Sequence, residues 1–336
     1  MQKLQNRNVS DTHPIRALVL LSGGLDSQLA VVLLKSQGIK ITGITFKSIF
    51  FDSQAALAAA ERLDIPLKVI DFTDTIIGII EHPRHGFGAG LNPCIDCHIA
   101  MIKQAGEIMR ANGFHFVASG EVLNERPMSQ NRRMLPLIAQ ESGLEGYLLR
   151  PLSAKLLAMT EPEKRQWVDR EKLLAIEGRS RRPQLTLARE FGLTSFPQPA
   201  GGCLLTDPGY GKKLRDLRKH EGLNNLNAIQ LLRVGRHFRL GKIKLIVGRN
   251  QADNEIIERA AENKVTLLKT LNVPGPVAII SNSASEAELG LAAATCARYS
   301  DHKANDPVAI EITDGKGTRI IEALPAEQSV IDALRV

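Results

Sequence analysis

The 336-residue chain has few cysteines, few aromatic residues and no long apolar run. Four cysteines do not make a disulfide framework, so a close pair such as Cys94 and Cys97 is interpreted first as a metal or redox site. Aromatic residues are 4% of the chain, which argues against single-stranded nucleic acid binding by stacked rings alone. A membrane-spanning helix would need about 18 consecutive apolar residues, so none is predicted. Residues 1–16 lack the apolar core of a secretory signal, and we expect a cytoplasmic protein.

Positive charge is concentrated in the middle of the chain. The net charge is +7, and residues 150–250 hold 21 Lys and Arg against 9 Asp and Glu, so the remainder is acidic overall. A basic middle on a near-neutral body is typical of proteins with a polyanionic partner, although a solvated basic face would have the same composition. With 43% hydrophobic and 24% charged residues, the chain has the balance of a folded globular protein.

Short β-branched segments alternate with helical stretches from residue 17 to about residue 150. The segments ALVLL, IKITGITF, PLKVIDF, FHFVASG and GYLLRPL predict five strands, and this alternation favours a parallel α/β sheet covered on both faces. Residues 156–230 form a basic region predicted to be helical. A smaller α+β domain is predicted over residues 235–336. The expected domains are therefore 1–155, 156–230 and 235–336.

The sequence SGGLDS lies between the first predicted strand and the first helix. Gly23 and Gly24 allow a tight turn, and the amides of the following helix N-terminus then point at an anion. Ser22 and Ser27 add hydroxyl donors, and Asp26 can hold a Mg²⁺ that bridges phosphates. The motif is neither Walker A nor the dinucleotide fingerprint. It predicts a nucleotide phosphate site.

Three of the four cysteines have spacings that indicate chemistry. Cys94 and Cys97 lie within one turn at a helix start, and Cys203 lies in a GGC turn that can fold back onto them. Three thiolates can bind three irons of a [4Fe-4S] cluster and leave the fourth iron open. A zinc site completed by His98 and a redox dithiol are the alternatives. Cys296 is in an apolar helix and is predicted to be a core residue.

The SGGxDS motif after a first strand resembles the PP-loop of ATP pyrophosphatases, which adenylate a substrate and release pyrophosphate. The resemblance implies a five-stranded parallel sheet of the adenine nucleotide α-hydrolase (HUP) type, with ATP and Mg²⁺ at the loop. It also implies that adenine lies beside the end of strand two, near Phe46. Gly120, after strand four, would close the nucleotide pocket.

The PP-loop together with NPCxxC and the late GGC resembles the tRNA-uridine thiolation enzymes, over residues 17–210. Cys97 and Cys203 match the two catalytic cysteines of the tRNA 2-thiouridylases, whereas Cys94 stands where those enzymes have the aspartate of NPDxxC. This departure favours the branch that depends on an iron-sulfur cluster. The resemblance implies Asp26, Cys97 and Cys203 as catalytic residues, and Cys94, Cys97 and Cys203 as cluster ligands.

The tail carries a second resemblance. The segments VGRN (247–250), PGPV (274–277) and AAATCARYSDHK (292–303) resemble the NFACT-R RNA-binding domain, which implies contact with tRNA-like RNA. A generic small domain used for dimerisation is the alternative.

These features together predict an ATP-dependent tRNA sulfurtransferase that adenylates a uridine carbonyl oxygen and replaces it with sulfur. The expected partners are tRNA and a cysteine desulfurase or another sulfur donor, with no membrane. A PP-loop ligase or amidotransferase that adenylates a small carboxylate is one alternative. An RNA-binding quality-control factor that only senses nucleotide is another. The sequence indicates neither which uridine carbon receives sulfur nor the oligomeric state.

Overall fold

The computed structural model describes residues 14–198, 202–261, 265–281, 283–303 and 306–336. The chain divides into two compact units, the first ending at Thr206 and the second beginning at Asp207. The basic region expected at 156–230 is thus shared between both units. Gly201 of the GGC motif lies outside the described residues. None of the helices in the described ranges is long and apolar enough to cross a membrane.

The first unit contains the five-stranded parallel sheet that the sequence predicts, with strand order β3-β2-β1-β4-β5. Its strands are β1 Arg16–Leu20, β2 Lys40–Lys47, β3 Leu67–Asp71, β4 Phe116–Ser119 and β5 Leu148–Leu149. The central strands β1 and β4 are almost continuously apolar and buried, as expected for a parallel sheet with both faces covered.

Seven α-helices belong to the described part of the first unit. They are α1 Leu25–Lys35, α2 Gln54–Arg62, α3 Thr73–Glu81, α4 Cys94–Ala111, α5 Met134–Glu141, α6 Glu161–Lys164 and α7 Arg182–Glu190. The core joins Val19 and Ala118 of the central strands to Leu29 of α1 and Ala59 of α2. Small alanines on α2 let that helix lie close to the sheet.

The stretch 160–192 is less helical than its composition predicts. It holds the one-turn helix α6, a 3-10 turn at Arg170–Lys172 and α7, joined by irregular chain. Prolines stand at the starts of α6 and α7, where a missing N–H is tolerated, and Gly178 between them has a φ of 87°. These residues begin and end short helices and do not support one long helix.

The second unit contains a six-stranded antiparallel sheet of order β11-β10-β8-β9-β7-β6. Its strands are β6 Arg236–Leu240, β7 Ile243–Val247, β8 Val265–Thr270, β9 Val277–Ser281, β10 Val308–Asp314 and β11 Gly317–Ala323. Its described helices are α8 Pro208–His220, α9 Leu226–Leu231, α10 Gln251–Ala260, α11 Glu286–Arg298 and α12 Gln328–Leu334. Cys296 is fully buried in the core between α11 and the sheet, as its apolar context predicts.

Candidate nucleotide and thiol site

The order of the strands defines where a ligand can approach the first unit. After β1 the chain moves outward to β2 and β3, and it then returns to place β4 on the other side of β1. The crevice at the carboxyl ends of β1 and β4 is therefore the topological switch point of the sheet, where open α/β folds bind ligands. Both the SGGLDS loop after β1 and Gly120 after β4 lie at this crevice.

The SGGLDS loop is a tightly hydrogen-bonded turn. Gly23 has a φ of 81°, and a Cβ built on it would be 2.3 Å from the carbonyl carbon of Ala55, so only glycine fits there. The Ser22 hydroxyl accepts a hydrogen bond from the Gly24 amide at 3.3 Å, and the Ser27 hydroxyl donates to the Gly24 carbonyl at 2.8 Å. The loop thus leads directly into the N-terminus of α1, whose amides can face an anion.

The backbone at Gly120 packs against the SGGLDS loop. A Cβ at Gly120 would be 2.5 Å from both the Asp26 carbonyl carbon and the Ser27 nitrogen. The backbone after β4 therefore touches the first turn of α1, and any side chain at position 120 would push the two apart. The Gly120 backbone therefore borders the SGGLDS loop directly.

Asp26 has the environment of a cation ligand. Its Oδ1 atom is buried and has no hydrogen-bond partner among the described residues. Burial raises the pKa of the Asp26 carboxyl, and the charge of Arg181 and the side chain of Gln184 oppose this rise. An orphaned carboxylate oxygen beside the SGGLDS loop would fit Mg²⁺ held together with nucleotide phosphates.

Four residues around Asp26 are not evident from the sequence motif. Glu125, on the loop after β4, is half-buried, and burial followed by the negative charge of Asp26 raises its pKa. Arg126 follows it, while Arg181 and Gln184 come from the start of α7. Gln184 is fully buried, and its side chain acts on the Asp26 carboxyl. The rule that carboxyl ends of parallel strands meet would have indicated the Glu125 loop, but no local signal indicates α7.

Phe46, predicted beside adenine, is buried near the end of β2. Its ring packs edge-on against Phe72, with 5.3 Å between ring centroids. The Phe46 side chain therefore packs in the core behind the end of β2. The backbone of β2, and not this ring, lies at the edge of the crevice.

The three cysteines predicted to act together belong to two neighbouring segments of the first unit. Cys94 and Cys97 lie on the first turn of α4, and the buried Asn92 amide donates a hydrogen bond to Cys94 Sγ at 3.1 Å. The segment after Cys203 packs on the glycine-rich loop that precedes α4, since a Cβ at Gly90 would be 2.6 Å from the Leu205 carbonyl oxygen. The segment that follows Cys203 therefore lies against the loop that leads into the NPCxxC motif.

The electrostatics of the thiols show that they are neighbours. Burial raises the pKa of the Cys97 thiol strongly, and the proximity of Cys203 and then Cys94 raises it further. Burial likewise raises the pKa of Cys203 to about 11, with backbone amides including that of Leu205 opposing the rise. The neighbouring sulfurs thus disfavour the thiolates of Cys97 and Cys203, and a thiolate at either position needs a compensating charge.

A ready-made metal site is not present in the described residues. No group of three or more His, Cys, Asp and Glu side chains there is arranged to hold a metal ion. His98, considered as a fourth zinc ligand, has its Nδ1 atom 3.0 Å from Glu121 Oε1. Glu121 is buried and also accepts from Arg150 Nε at 2.9 Å, and the Arg150 charge opposes the effect of burial and lowers its pKa. The cysteines meet, but in this arrangement they do not fit a cluster or zinc.

In the second unit, the segments that resemble NFACT-R are in contact with one another. The Asn254 side chain accepts a hydrogen bond from Val277 N at 3.0 Å and donates to the Gly275 carbonyl at 3.3 Å. A Cβ at Gly248 would be 2.0 Å from Asn254 Oδ1, so glycine is required there. The spaced VGRN and PGPV segments therefore form one structural feature.

Some of the basic residues in the middle of the chain are neutralised locally. Asp216 of α8 accepts a hydrogen bond from Arg239 Nε at 3.1 Å, and the Lys244 ammonium lies 3.3 Å from its Oδ2 atom. Both cations are mostly buried, with side-chain exposures of 11% and 9%. These charges are paired within the second unit and are not available to a polyanion.

Known proteins resemble both units. Residues 15–161 match the family model described as the tRNA methyl transferase HUP domain, and residues 235–335 match the NFACT protein RNA binding domain. The chain is 29% identical over 190 residues to the tRNA-specific 2-thiouridylase MnmA of Bradyrhizobium sp. (strain ORS 278), covering 47% of this chain and 46% of that protein. It is 28% identical over 162 residues to the protein of the same name from Synechocystis sp. (strain ATCC 27184 / PCC 6803 / Kazusa), covering 43% of this chain and 44% of that one.

Among solved structures, a 4-thiouridine synthetase–RNA complex with bound ATP is 17% identical, with a TM-score of 0.38 over 64% of this chain and 52% of that chain. The chain spans about half the length of the curated relatives that it matches. Residues 15–161 are therefore similar to a HUP domain and distantly to the MnmA thiouridylases, and residues 235–335 are similar to the NFACT RNA binding domain.

Proposed function

We propose that this protein is an ATP-dependent tRNA sulfurtransferase that replaces a uridine carbonyl oxygen with sulfur. The proposal is carried by two features found together in the first unit. One is the SGGLDS loop with the unpartnered Asp26 oxygen, and the other is the group of three neighbouring thiols. Its distant relatives are named tRNA-specific 2-thiouridylases, which supports the same substrate class.

In the first step ATP activates the uridine. The carbonyl oxygen attacks the α-phosphorus, an O–P bond forms, and the bond to pyrophosphate breaks with its electron pair leaving on pyrophosphate. Helix α1 amides and the hydroxyls of Ser22 and Ser27 would bind phosphate oxygens, with Mg²⁺ held by Asp26. Fixed dipoles and charge of this kind stabilise the developing negative charge.

In the second step sulfur displaces AMP from the activated carbon. A persulfide sulfur on Cys203, supplied by a desulfurase-class donor, forms the C–S bond while the C–O bond breaks toward AMP. Cys97 then attacks the Cys203 sulfur, which releases the thiocarbonyl and leaves a Cys97–Cys203 disulfide. A thiol reductant returns the two electrons and restores both thiols.

The [4Fe-4S] cluster predicted on Cys94, Cys97 and Cys203 stays a prediction. Because these residues do not form a metal-holding group as arranged, we derive no step through a cluster. The second unit would bind the tRNA, which is supported by its match to the NFACT RNA binding domain.

The direct test is to incubate the purified chain with tRNA, Mg·ATP, a cysteine desulfurase with cysteine, and a thiol reductant. Nucleoside mass spectrometry should detect thiouridine that depends on ATP and on the sulfur donor. If tRNA stayed unmodified while a small carboxylate was adenylated, the ligase alternative would replace this proposal. If tRNA bound with no modified base and no AMP formed, the nucleotide-sensing RNA-binding factor would replace it.

A further inference from the structure

The loop that follows β4 touches both the nucleotide site and the thiol site. At its start, Gly120 lies against the backbone of Asp26, as described above. Further along, the Met128 sulfur is 3.6 Å from the Asn92 amide nitrogen, which itself donates to Cys94 Sγ. One short loop therefore contacts both the SGGLDS loop and the segment at the start of α4.

Arg126 lies in the middle of this loop, which has a defined conformation. The Asn124 amide donates to the Gln130 carbonyl at 2.6 Å, and the Gln130 amide donates to the Arg126 carbonyl at 3.0 Å. Asn124 has a φ of 62°, a conformation that asparagine tolerates better than most residues. The loop therefore presents Arg126 from a hydrogen-bonded backbone.

The Arg126 guanidinium is exposed and forms no salt bridge with any residue that the structure describes. The nearby Arg132 differs, because its guanidinium pairs with Glu177 at 3.5 Å. An exposed arginine beside two functional sites that makes no salt bridge among the described residues has its hydrogen-bond donors available for a ligand anion.

The position of Arg126 in this loop places it between the two sites. Arg126 is six residues after Gly120, whose backbone contacts Asp26, and two residues before Met128, whose sulfur contacts the Asn92 side chain beside Cys94.

We propose that Arg126 binds the α-phosphate of the nucleotide and continues to bind it in the adenylylated uridine, so that one guanidinium serves both half-reactions. The α-phosphate is the one group that belongs to ATP, to the adenylylated intermediate and to the AMP leaving group. The α-phosphate must lie between the SGGLDS loop and the sulfur nucleophile, and the loop that follows β4 and carries Arg126 runs there. A planar guanidinium can bind two phosphate oxygens at once.

This assignment rests on the proposed function for its second half-reaction, but its first half can be tested by binding alone. The variants are Arg126→Gln and, as a matched control, Arg132→Gln, and the ligands are AMP and adenosine. Arg126→Gln should weaken AMP binding at least tenfold and change adenosine binding less than twofold, because adenosine lacks the phosphate. Arg132→Gln should leave both affinities within twofold of the wild-type values.

Equal AMP affinity in Arg126→Gln and wild type would overturn the assignment, and so would an equal loss of AMP and adenosine affinity, which indicates a structural role. In single-turnover reactions with tRNA, Arg126→Gln should slow both AMP formation and the conversion of preformed adenylylated tRNA to thiouridine. Slowing of only one step would contradict the shared role. A wild-type chain that binds AMP through Arg126 but never thiolates tRNA would refute the proposed function and not the phosphate contact.

Discussion

Gly120 and Asp26 are in backbone contact, with room for no side chain at position 120. The contact joins the end of β4 to the first turn of α1, and so it sets the width of the crevice in which nucleotide phosphates would bind. Because the two residues are 94 positions apart in the sequence, the width of the crevice depends on the order of the strands in the sheet and not on either motif by itself.

Replacing Gly120 with alanine should damage nucleotide binding. A Cβ at 2.5 Å from backbone atoms forces a shift, and such overpacking costs about 1–3 kcal/mol. We expect Mg·ATP affinity, measured by isothermal titration calorimetry, to fall by roughly tenfold or more. Gly78→Ala is the control, because a Cβ there meets nothing within 4 Å and alanine favours its helix. Unchanged affinity in Gly120→Ala would show that the phosphates bind elsewhere.

Asp26→Asn should preserve the fold and abolish ATP cleavage. The amide removes the negative charge that would hold Mg²⁺, and we expect tRNA-dependent AMP formation to fall by about 10²–10³. Asp74→Asn is a matched control, since Asp74 also lies in the first turn of a helix that follows a parallel strand but is exposed. AMP formation at the wild-type rate in Asp26→Asn would remove the SGGLDS loop from the mechanism.

Cys97→Ala and Cys203→Ala should each abolish thiouridine formation, because the proposed persulfide and disulfide form on these two sulfurs. Cys94→Ala should lose it, together with iron after anaerobic purification, only if the chain carries a cluster. Cys296→Ala is the control, because Cys296 is buried in the second unit, where burial raises its pKa to about 12. Full activity in Cys94→Ala with no bound iron would favour the persulfide route through Cys97 and Cys203. About four irons and four acid-labile sulfides per wild-type chain would establish the cluster.

His237 should make the second unit less stable in acid. Its ring is buried, and desolvation together with the charges of Lys213 and Lys244 lowers its pKa to about 3. The unfolded chain, with a histidine pKa of about 6.5, therefore binds more protons than the native state between these values. Stability is present above pH 6.5 and is lost as the pH falls toward 3.

Between pH 8 and pH 5 this group should cost the wild-type protein about 2 kcal/mol that a His237→Gln variant does not lose. Urea unfolding followed by circular dichroism at both pH values measures the difference, with the exposed His82→Gln as control. An equal loss in His237→Gln and wild type would mean that His237 is protonated as easily when folded as when unfolded.

The sequence predicts the first sheet well because its signals are local. Buried parallel strands are short apolar runs, and SGGLDS lies at the one place where a strand turns into the first helix. In the second unit the sequence pattern does not single out β6, β8 and β11. Two of these, β6 and β11, are edge strands with the polar-rich sequences RHFRL and GTRIIEA, which carry little apolar periodicity.

The site is only partly predictable for a related reason. The glycines, Asp26 and the cysteines stand in recognisable motifs, whereas Arg126, Arg181 and Gln184 reach the same crevice from a loop and a helix without any motif. Their spacing reflects how β4 and α7 pack against α1, which is a property of the tertiary fold. Tertiary packing also buries Phe46 of β2 against Phe72 at the start of α3, which no pattern around residue 46 indicates.

The central claim is that ATP cleavage in this protein activates a uridine for sulfur transfer. The most direct test is the ratio of AMP formed to thiouridine formed in one reaction with tRNA, Mg·ATP, sulfur donor and reductant. We predict one AMP for each thiouridine, with both products strongly reduced in Asp26→Asn. AMP that accumulates without thiouridine, or thiouridine that forms without AMP, would contradict it.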